Sequence, residues 1–354
     1  MKAVHCDIAV IGGGPAGTSA ALEAAKSGCR VIIVERRPQI GLPVRCAEYI
    51  PAPLVGEIDL GRDYLAQAIK GMRTFLPGGA VKETGTPGYT IERDVLDLML
   101  ARASEKEGAE IWLSAKAVSL ENGRMLVRRK EEYCFIHAGV IIGADGPHSS
   151  VAQWIGSPNR HLLIGAQVLA SLVRPLDYTE VYFDPEIHCG YGWVFPKYEF
   201  ANVGVGIKPT TSPGRVSIKK VLDDFLAKHI REQKILPPAP QRYTVGWIPA
   251  EPVKKVRQDN TLLTGDAAGH THPITGAGIF SAVTGGKMAG KWAARAIQAK
   301  DPQLLAGYEK EARDFFEPHL KRASDRRRLM EEHWNSFDEA LVRKCWVAFR
   351  EYYE

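Results

Sequence analysis

The run DIAVI at residues 7–11 is short and apolar, the pattern of a strand buried in a parallel sheet, and GGGPAG at 12–17 follows it with no spacer. The chain must turn tightly there. From Pro15 the composition changes to small, helix-favouring residues (TSAALEAAKS) up to Gly28, a C-terminal stop, and RVIIVE at 30–35 reads as a second buried strand. Strand, turn, helix and strand make one βαβ unit.

Between about Gly108 and Gly143 the pattern becomes short alternating stretches, EIWLSAKAVSLE, RMLVRRK and EYCFIHAGVIIGADG, which predict a small meander feeding a final buried strand. From about His161 to Pro252, β-branched and aromatic runs (GAQVLASLV, VYFD, YGWVFP, ANVGVGI) surround one helical stretch, SIKKVLDDFLAKHI. This predicts a separate, mostly antiparallel domain. Nucleotide-fold features resume at Thr261 (TLLTGDAAG), and after about Asp301 the chain reads as helical and highly charged. The expected organisation is a discontinuous nucleotide-binding domain over 1–62, 91–160 and 256–300, a substrate domain over 63–90 and 161–255, and a helical segment over 301–354.

Length and charge narrow the picture. A chain of 354 residues with 45% apolar content exceeds what one core usually holds, in keeping with two domains. Lys and Arg number 46 against 41 Asp and Glu, a dispersed excess of +5 that argues against a nucleic-acid partner. Cysteines at 6, 29, 46, 134, 189 and 345 form no CxxC pair, so neither a metal site nor a disulfide framework is indicated, and a reducing, cytoplasmic setting follows. A first strand beginning by about Asp7 leaves no room ahead of it for a secretion signal. A spanning helix needs about 18 uninterrupted apolar residues. Gly165–Val173 is too short, and Gly276–Trp292 is interrupted by Lys287 and Lys291.

The chemistry begins at Gly12-x-Gly14-x-x-Gly17. Its glycines let the backbone turn off the strand, approach a pyrophosphate and pack the helix on the sheet, while the helix start at Pro15, Ala16 and Gly17 offers N–H donors. Glu35 ends the second strand 18 residues past Gly17, where its carboxylate can accept hydrogen bonds from an adenosine ribose. The unit predicts a bound dinucleotide and leaves NAD and FAD open. Further along, Asp266 stands in a Gly/Ala-rich turn read as opening a helix, with an ordinary acidic N-cap as the plainer alternative. For Asp145-Gly146 the plainer alternative to a cofactor contact is an ordinary hairpin turn. Tyr191, Trp193, Phe195 and Lys197 alternate along one strand and share a face. That face forms either the wall of an apolar tunnel or sheet-core packing. His270 and His272 could donate protons, but two histidines make no metal site.

Six ordered blocks carry a resemblance over nearly the whole chain: GGGPAG; Pro43 to Glu48 (PVRCAE); Ile91-Glu-Arg93 to Asp97; Gly143 to Gly146 (GADG) followed by Ser149; Tyr191 to Lys197 (YGWVFPK); and Gly265 to Gly278 (GDAAGHTHPITGAG). They resemble the geranylgeranyl reductase branch of the FAD-dependent enzymes that share the para-hydroxybenzoate hydroxylase fold. The resemblance implies an α/β fold with a Rossmann-like FAD-binding domain, an inserted antiparallel-sheet substrate domain and a C-terminal helical segment. It implies FAD as cofactor, with Gly12, Gly14, Gly17 and Glu35 on its ADP half, Arg36 beside them, and Arg45 and Cys46 near the flavin ring. It further implies Arg93 on the phosphate and ribityl side, Asp266 on the ribityl chain or pyrophosphate, Gly276, Gly278 and Ile279 along the flavin, and Pro15, Ala16, Ala47, Asp145 and Gly265 as further cofactor-binding residues. Cys46, Tyr191 and Trp193 are the candidate catalytic residues, with small core packing as the equal alternative for Cys46.

The activity so implied is reduction of carbon–carbon double bonds in an isoprenoid lipid, with electrons from NAD(P)H or a reduced ferredoxin. Two other readings stand beside it: a flavin hydroxylase using NAD(P)H and oxygen, and a flavin electron-transfer or redox-sensing protein with no small-molecule turnover. Lys321 to Arg328 (KRASDRRR) carries five basic residues and one acid, with Trp334, Phe337, Trp346, Phe349, Tyr352 and Tyr353 after it. Such a segment suits either peripheral contact with an anionic bilayer or a solvated helix that packs its aromatics inward.

Overall fold

The computed structural model describes residues 2–58, 60–121, 123–209, 217–238 and 243–354. Its first layer is a parallel sheet in the order Thr261–Leu263, Glu132–Gly143, Lys2–Ile11, Val31–Val34 and Glu110–Trp112. The residues that made 7–11 legible, Ile8, Ala9 and Val10, are wholly buried between layers. Each fully buried Ile or Val contributes about 1.5–3 kcal/mol relative to exposure. The strand itself starts at Lys2, earlier than the apolar run. Ala3 and His5 are exposed while Cys6 is buried, and this half-strand is held by pairing with Cys134–Ala138 rather than by burial on both faces. The N-terminal half of Glu132–Gly143 also closes the meander with Ala115–Glu121 and Arg124–Arg129.

Helix Pro15–Lys26 packs against helices Ile279–Ala299 and Arg93–Lys106. Small residues set the spacing. A Cβ on Gly286 would fall 2.3 Å from the Ala16 carbonyl oxygen, and one on Gly290 2.3 Å from that of Ala20. The second layer is a seven-stranded sheet in the order Thr244–Pro249, Leu162–Ser171, Phe200–Ile207, Tyr191–Lys197, Tyr178–Tyr182, Gly71–Phe75 and Val81–Thr84. One face packs Val194, Val203 and Val205 under helix Ile218–Arg231, whose Leu222 and Phe225 are buried on it. A third, three-stranded sheet consists of Tyr49–Pro51, Gly88–Ile91 and Leu65–Ile69.

The C-terminal segment turns its aromatics inward. Trp334, Trp346, Phe349 and Tyr352 are buried in a cluster with Leu76, Val181 and Phe183 of the seven-stranded-sheet region, while Phe337 is half-buried and Tyr353 is exposed. The Trp346 indole N–H donates to Thr74 Oγ1 (3.0 Å). Arg327, in the basic run, is itself buried, with Nε on Glu331 and Nη2 on the Cys189 carbonyl, both at 2.6 Å. Among the described residues no helix is long and apolar enough to cross a membrane.

One local expectation is corrected. Gly265–Ala268 is a single 3₁₀ turn, not the start of a long helix. Gly269 (φ +66°) closes it in the left-handed region, and the α-helix begins only at Ile279. The intervening residues form a loop. Because the helix pair has no space for a side chain at its crossing, Gly286→Val is expected to destabilise the protein by about 1–3 kcal/mol. Gly28 supplies the contrast, since a Cβ there would meet nothing within 4 Å although φ is +80°. Gly28→Asn, tolerated in the left-handed region, should shift the thermal unfolding midpoint far less.

Candidate functional site

At the strand end the glycines divide their work. Gly12 takes φ +105° and would drive a Cβ to 2.3 Å from the Ala144 carbonyl oxygen, while a Cβ on Gly17 would fall 1.9 Å from the Gly12 carbonyl. Both are closed by the protein's own backbone. Gly14 differs: a Cβ there meets nothing within 4 Å, so its surface opens onto free space. It is also the N-cap of helix Pro15–Lys26, and no side chain among the described residues caps that helix. Uncapped N–H groups aimed at open space, with no Cβ in the way, fit a pyrophosphate. The Glu35 carboxylate is held beside it by the backbone N–H groups of Gly13 (2.7 Å) and Arg37 (2.8 Å), which leaves each oxygen a lone pair for a ribose hydroxyl. Arg36 beside it is exposed.

The tertiary fold then brings in the distant segments. A Cβ on Gly265 (φ +61°) would fall 2.7 Å from Ala16 Cβ, so the GDAAG turn abuts the first helix. Asp266 accepts from Thr271 Oγ1 (2.6 Å), and a Cβ on Gly278 would lie 3.3 Å from its Oδ1. Burial pushes the Asp266 carboxyl up against the opposing pull of Thr271 and the positive charge of Arg93. Asp145 does local work: its carboxylate accepts from Ser149 Oγ and Ser150 N, capping helix Ser150–Trp154.

The loop carrying Arg45, Cys46 and Ala47 lies across the seven-stranded sheet. Its carbonyls accept from Gln167 Nε2 (to Cys46, 2.7 Å) and Asn202 Nδ2 (to Ala47, 3.3 Å), and Arg45 Cβ sits 3.6 Å from a Cβ placed on Gly246. Cys46 and Ile279 belong to one apolar cluster with Ile50, Leu54 and Leu96. Burial raises the Cys46 thiol above its ordinary range, opposed by the neighbouring Arg93 guanidinium. Arg93 is fixed in turn by Asp97 (Nε to Oδ1, 2.8 Å). Burial alone would lower Arg93, but the charge of Asp97 outweighs it and holds the guanidinium above its ordinary range.

Register explains the aromatic strand. Gly246, Gly165, Gly206 and Tyr191 form one row across four strands, and Gln167, Gly204 and Trp193 the next. Side chains of a row point the same way. The face is a glycine floor, and the Trp193 ring covers it: Cζ2 lies 2.4 Å from a Cβ on Gly204, and ring atoms lie 3.6 Å from those on Gly165 and Gly206. Trp193 is 8% exposed, and its indole N–H has no hydrogen-bond partner among the described residues. Each end of the strand is tied to a loop. Tyr191 donates to the Thr275 carbonyl, next to Gly276, and Lys197 Nζ reaches Glu48 at 3.0 Å and Glu92 at 2.7 Å. Gly276 (φ +66°) faces Ile248 in turn: a Cβ there would lie 3.6 Å from Ile248 Cδ1.

Glu48, Gln167, Asn202 and Thr271 are site residues that the motif reading did not single out. Gln167 and Asn202 had a signal, as single polar positions in apolar strands (GAQVLA, ANVGVG). The two histidines separate. His270 stacks on Phe316 (4.1 Å), turned to the C-terminal helix Ala306–Glu332. His272 Nδ1 accepts from the Thr275 N–H (3.2 Å), which fixes the proton on Nε2, facing Tyr352 Oη at 3.2 Å.

Residues 7–42 match the FAD dependent oxidoreductase family and residues 166–237 the geranylgeranyl reductase catalytic domain. The digeranylgeranylglycerophospholipid reductase of Thermoplasma acidophilum is 34% identical over 340 residues, covering 89% of this chain and 85% of that one. Digeranylgeranylglycerophospholipid reductase 1 of Methanopyrus kandleri is 36% identical over 334 residues, covering 88% of each. A crystal structure of a geranylgeranyl bacteriochlorophyll reductase-like protein from Thermoplasma acidophilum superposes with a TM-score of 0.84 at 29% identity, over 98% of this chain and 93% of that one.

Two outcomes follow. Gly14→Val adds a side chain only to open space, so the apoprotein should keep its unfolding midpoint while FAD affinity, measured by fluorescence titration, falls at least tenfold. Burial lowers His272 to about 4. The folded protein therefore binds fewer protons than the unfolded chain between pH 6.5 and 4, and stability falls as pH falls through that window, by up to about 1.4 kcal/mol per pH unit for this group. Denaturation at pH 7 and pH 5 should show a smaller pH loss in His272→Gln than in wild type.

Proposed function

This chain belongs to the geranylgeranyl reductase family of FAD-dependent oxidoreductases, and on that footing we propose that it saturates carbon–carbon double bonds of a geranylgeranyl-type isoprenoid lipid. The observation that carries this is the tethering of the aromatic strand: Tyr191 to Thr275 at one end, Lys197 to Glu48 at the other. An apolar wall is thereby suspended between two loops that the cofactor would contact. Gly12, Gly14, Pro15, Ala16, Gly17, Glu35 and Arg36 would hold the adenosine diphosphate half of FAD, and Arg93, Asp145, Gly265 and Asp266 the ribityl and phosphate side. Arg45, Cys46, Ala47, Gly276, Gly278 and Ile279 would hold the flavin. Reduced FAD, when bound, supplies a hydride.

The protein's own residues supply the rest. An isolated alkene accepts hydride poorly, so it must be aligned, kept dry and given a proton as positive charge develops. Tyr191 and Trp193 bring large apolar surface, and the unpartnered Trp193 N–H offers one polar handle. Cys46 is the proton donor: burial keeps its thiol protonated at neutral pH, and it shares a cluster with Ile279 beside the Gly276 loop. The reductant is NAD(P)H or reduced ferredoxin. Any bilayer contact falls to the exposed cations Lys321, Arg322 and Arg328, because the segment's buried aromatics face the core.

The test is anaerobic. Flavin-reduced protein, prepared with each donor, is mixed with a geranylgeranyl lipid, and separately with oxygen and aromatic acids. Reoxidation by the lipid with a saturated product is expected. Inertness toward the lipid together with an oxygen-dependent aromatic product would overturn the proposal. Cys46→Ala should lower kcat by about 10²–10⁴ with KM nearly unchanged, the range for loss of a general acid.

A further inference from the structure

Glu48 is buried and takes φ +66°, a left-handed conformation that a side chain of its type rarely adopts. Such a residue persists only where its surroundings over-determine it, and such sites cluster at functional centres. Its surroundings do so here at every polar atom. The backbone N–H donates to Cys46 Sγ (3.2 Å), and the carbonyl accepts from Ile91 N (2.9 Å). Carboxylate Oε1 accepts from Arg93 N (2.9 Å), and Oε2 from both Lys197 Nζ (3.0 Å) and Asn202 Nδ2 (2.8 Å). Helix Arg93–Lys106 has no cap from its own side chains, so Glu48 adds a capping carboxylate from another segment to the acid, Asp94, of its first turn.

The consequence falls on the sulfur. Cys46 Sγ accepts the Glu48 N–H and feels the positive charge of the neighbouring Arg93 guanidinium. Accepting that bond leaves its S–H free to donate elsewhere. The charged groups around it come from every packed element: Arg93 and Asp97 from the helix, Glu92 before it, Lys197 from the aromatic strand, Asp266 across from Arg93, and exposed Arg45 in the loop itself.

We propose that Glu48 is a positioning residue for Cys46: its left-handed turn aims the thiol, and its carboxylate offsets Lys197 and Arg93 so that the thiol keeps its proton. Nothing in its own position requires it to touch the substrate. The inference rests on the reading of Cys46 as proton donor, but its physical content can be measured without turnover.

The experiment follows the pH dependence of Cys46 carboxamidomethylation in the FAD-loaded enzyme, read by mass spectrometry of the Cys46 peptide. Glu48→Gln keeps shape and removes charge, so the alkylation midpoint should fall by ~1 pH unit or more, the shift expected from one charge within about 6 Å. Lys197→Met removes the opposite charge and should raise it. Shifts of opposite sign are not produced by general loosening. Glu48→Asp should restore part of the wild-type midpoint. Equal midpoints in wild type and Glu48→Gln, in protein with an unchanged flavin spectrum, would overturn the proposal, as would a fall in Lys197→Met. Should Glu48→Gln not fold, Lys197→Met still decides by its sign. Wild-type turnover in Cys46→Ala would instead overturn the donor reading, leaving the alkylation shifts to judge Glu48 alone.

Discussion

The structure depends on places where backbone meets backbone with no side chain between. Gly17 lies against the Gly12 carbonyl, Gly12 against Ala144, Gly286 against Ala16, and Gly290 against Ala20. These contacts clamp helix Pro15–Lys26 between the sheet and helix Ile279–Ala299. Gly14, at the same turn, is free of contact. Rigidity on every side of one open face makes a binding cradle, because the cost of ordering that backbone is met by the fold before any ligand arrives.

A second constraint joins the layers. The polar knot of Cys46, Glu48, Arg93, Asp97 and Lys197 is largely buried, where an unpaired charge would be strongly unfavourable. Each charged member has an opposite partner: Arg93 with Asp97, Lys197 with Glu48 and Glu92. Since these partners belong to a loop, a helix and a strand of the second sheet, satisfying them fixes how the two layers meet. The aromatic strand is thereby registered against the loops that flank the cofactor's expected place. The C-terminal helices close that same face of the sheet beside Trp193 by burying Trp346 and Phe349 with Val181 and Phe183.

Local signals were weakest where geometry is set by distant contacts. The polar start of the first strand carried no apolar run because one side faces solvent. GDAAG looked like a helix start because its small residues and acid suit one, yet Gly269 ends the turn and the loop to Ile279 intervenes. The basic and aromatic C-terminus left two readings open. Burial of Trp334, Trp346, Phe349 and Tyr352 shows where those aromatics go, a matter of which surface is available to cover. Glu48 was visible only as one letter of a motif. Its left-handed turn depends on five partners spread from Cys46 to Asn202.

By itself the sequence determined the nucleotide-binding unit and the existence of a second, mostly antiparallel sheet, and its six ordered blocks carried the resemblance to an FAD-dependent family. The unit and the sheet rest on short-range patterns, namely glycine spacing, apolar runs and strand alternation, whose physics acts within a few residues. Only the tertiary structure decided that three glycines and Tyr191 fall in one row, that Trp193 lies flat across that floor with its N–H unpaired, and that one buried carboxylate grips the thiol's loop. Strand register and charge pairing across layers are long-range. They are fixed by which buried groups must find partners, and no local pattern encodes that.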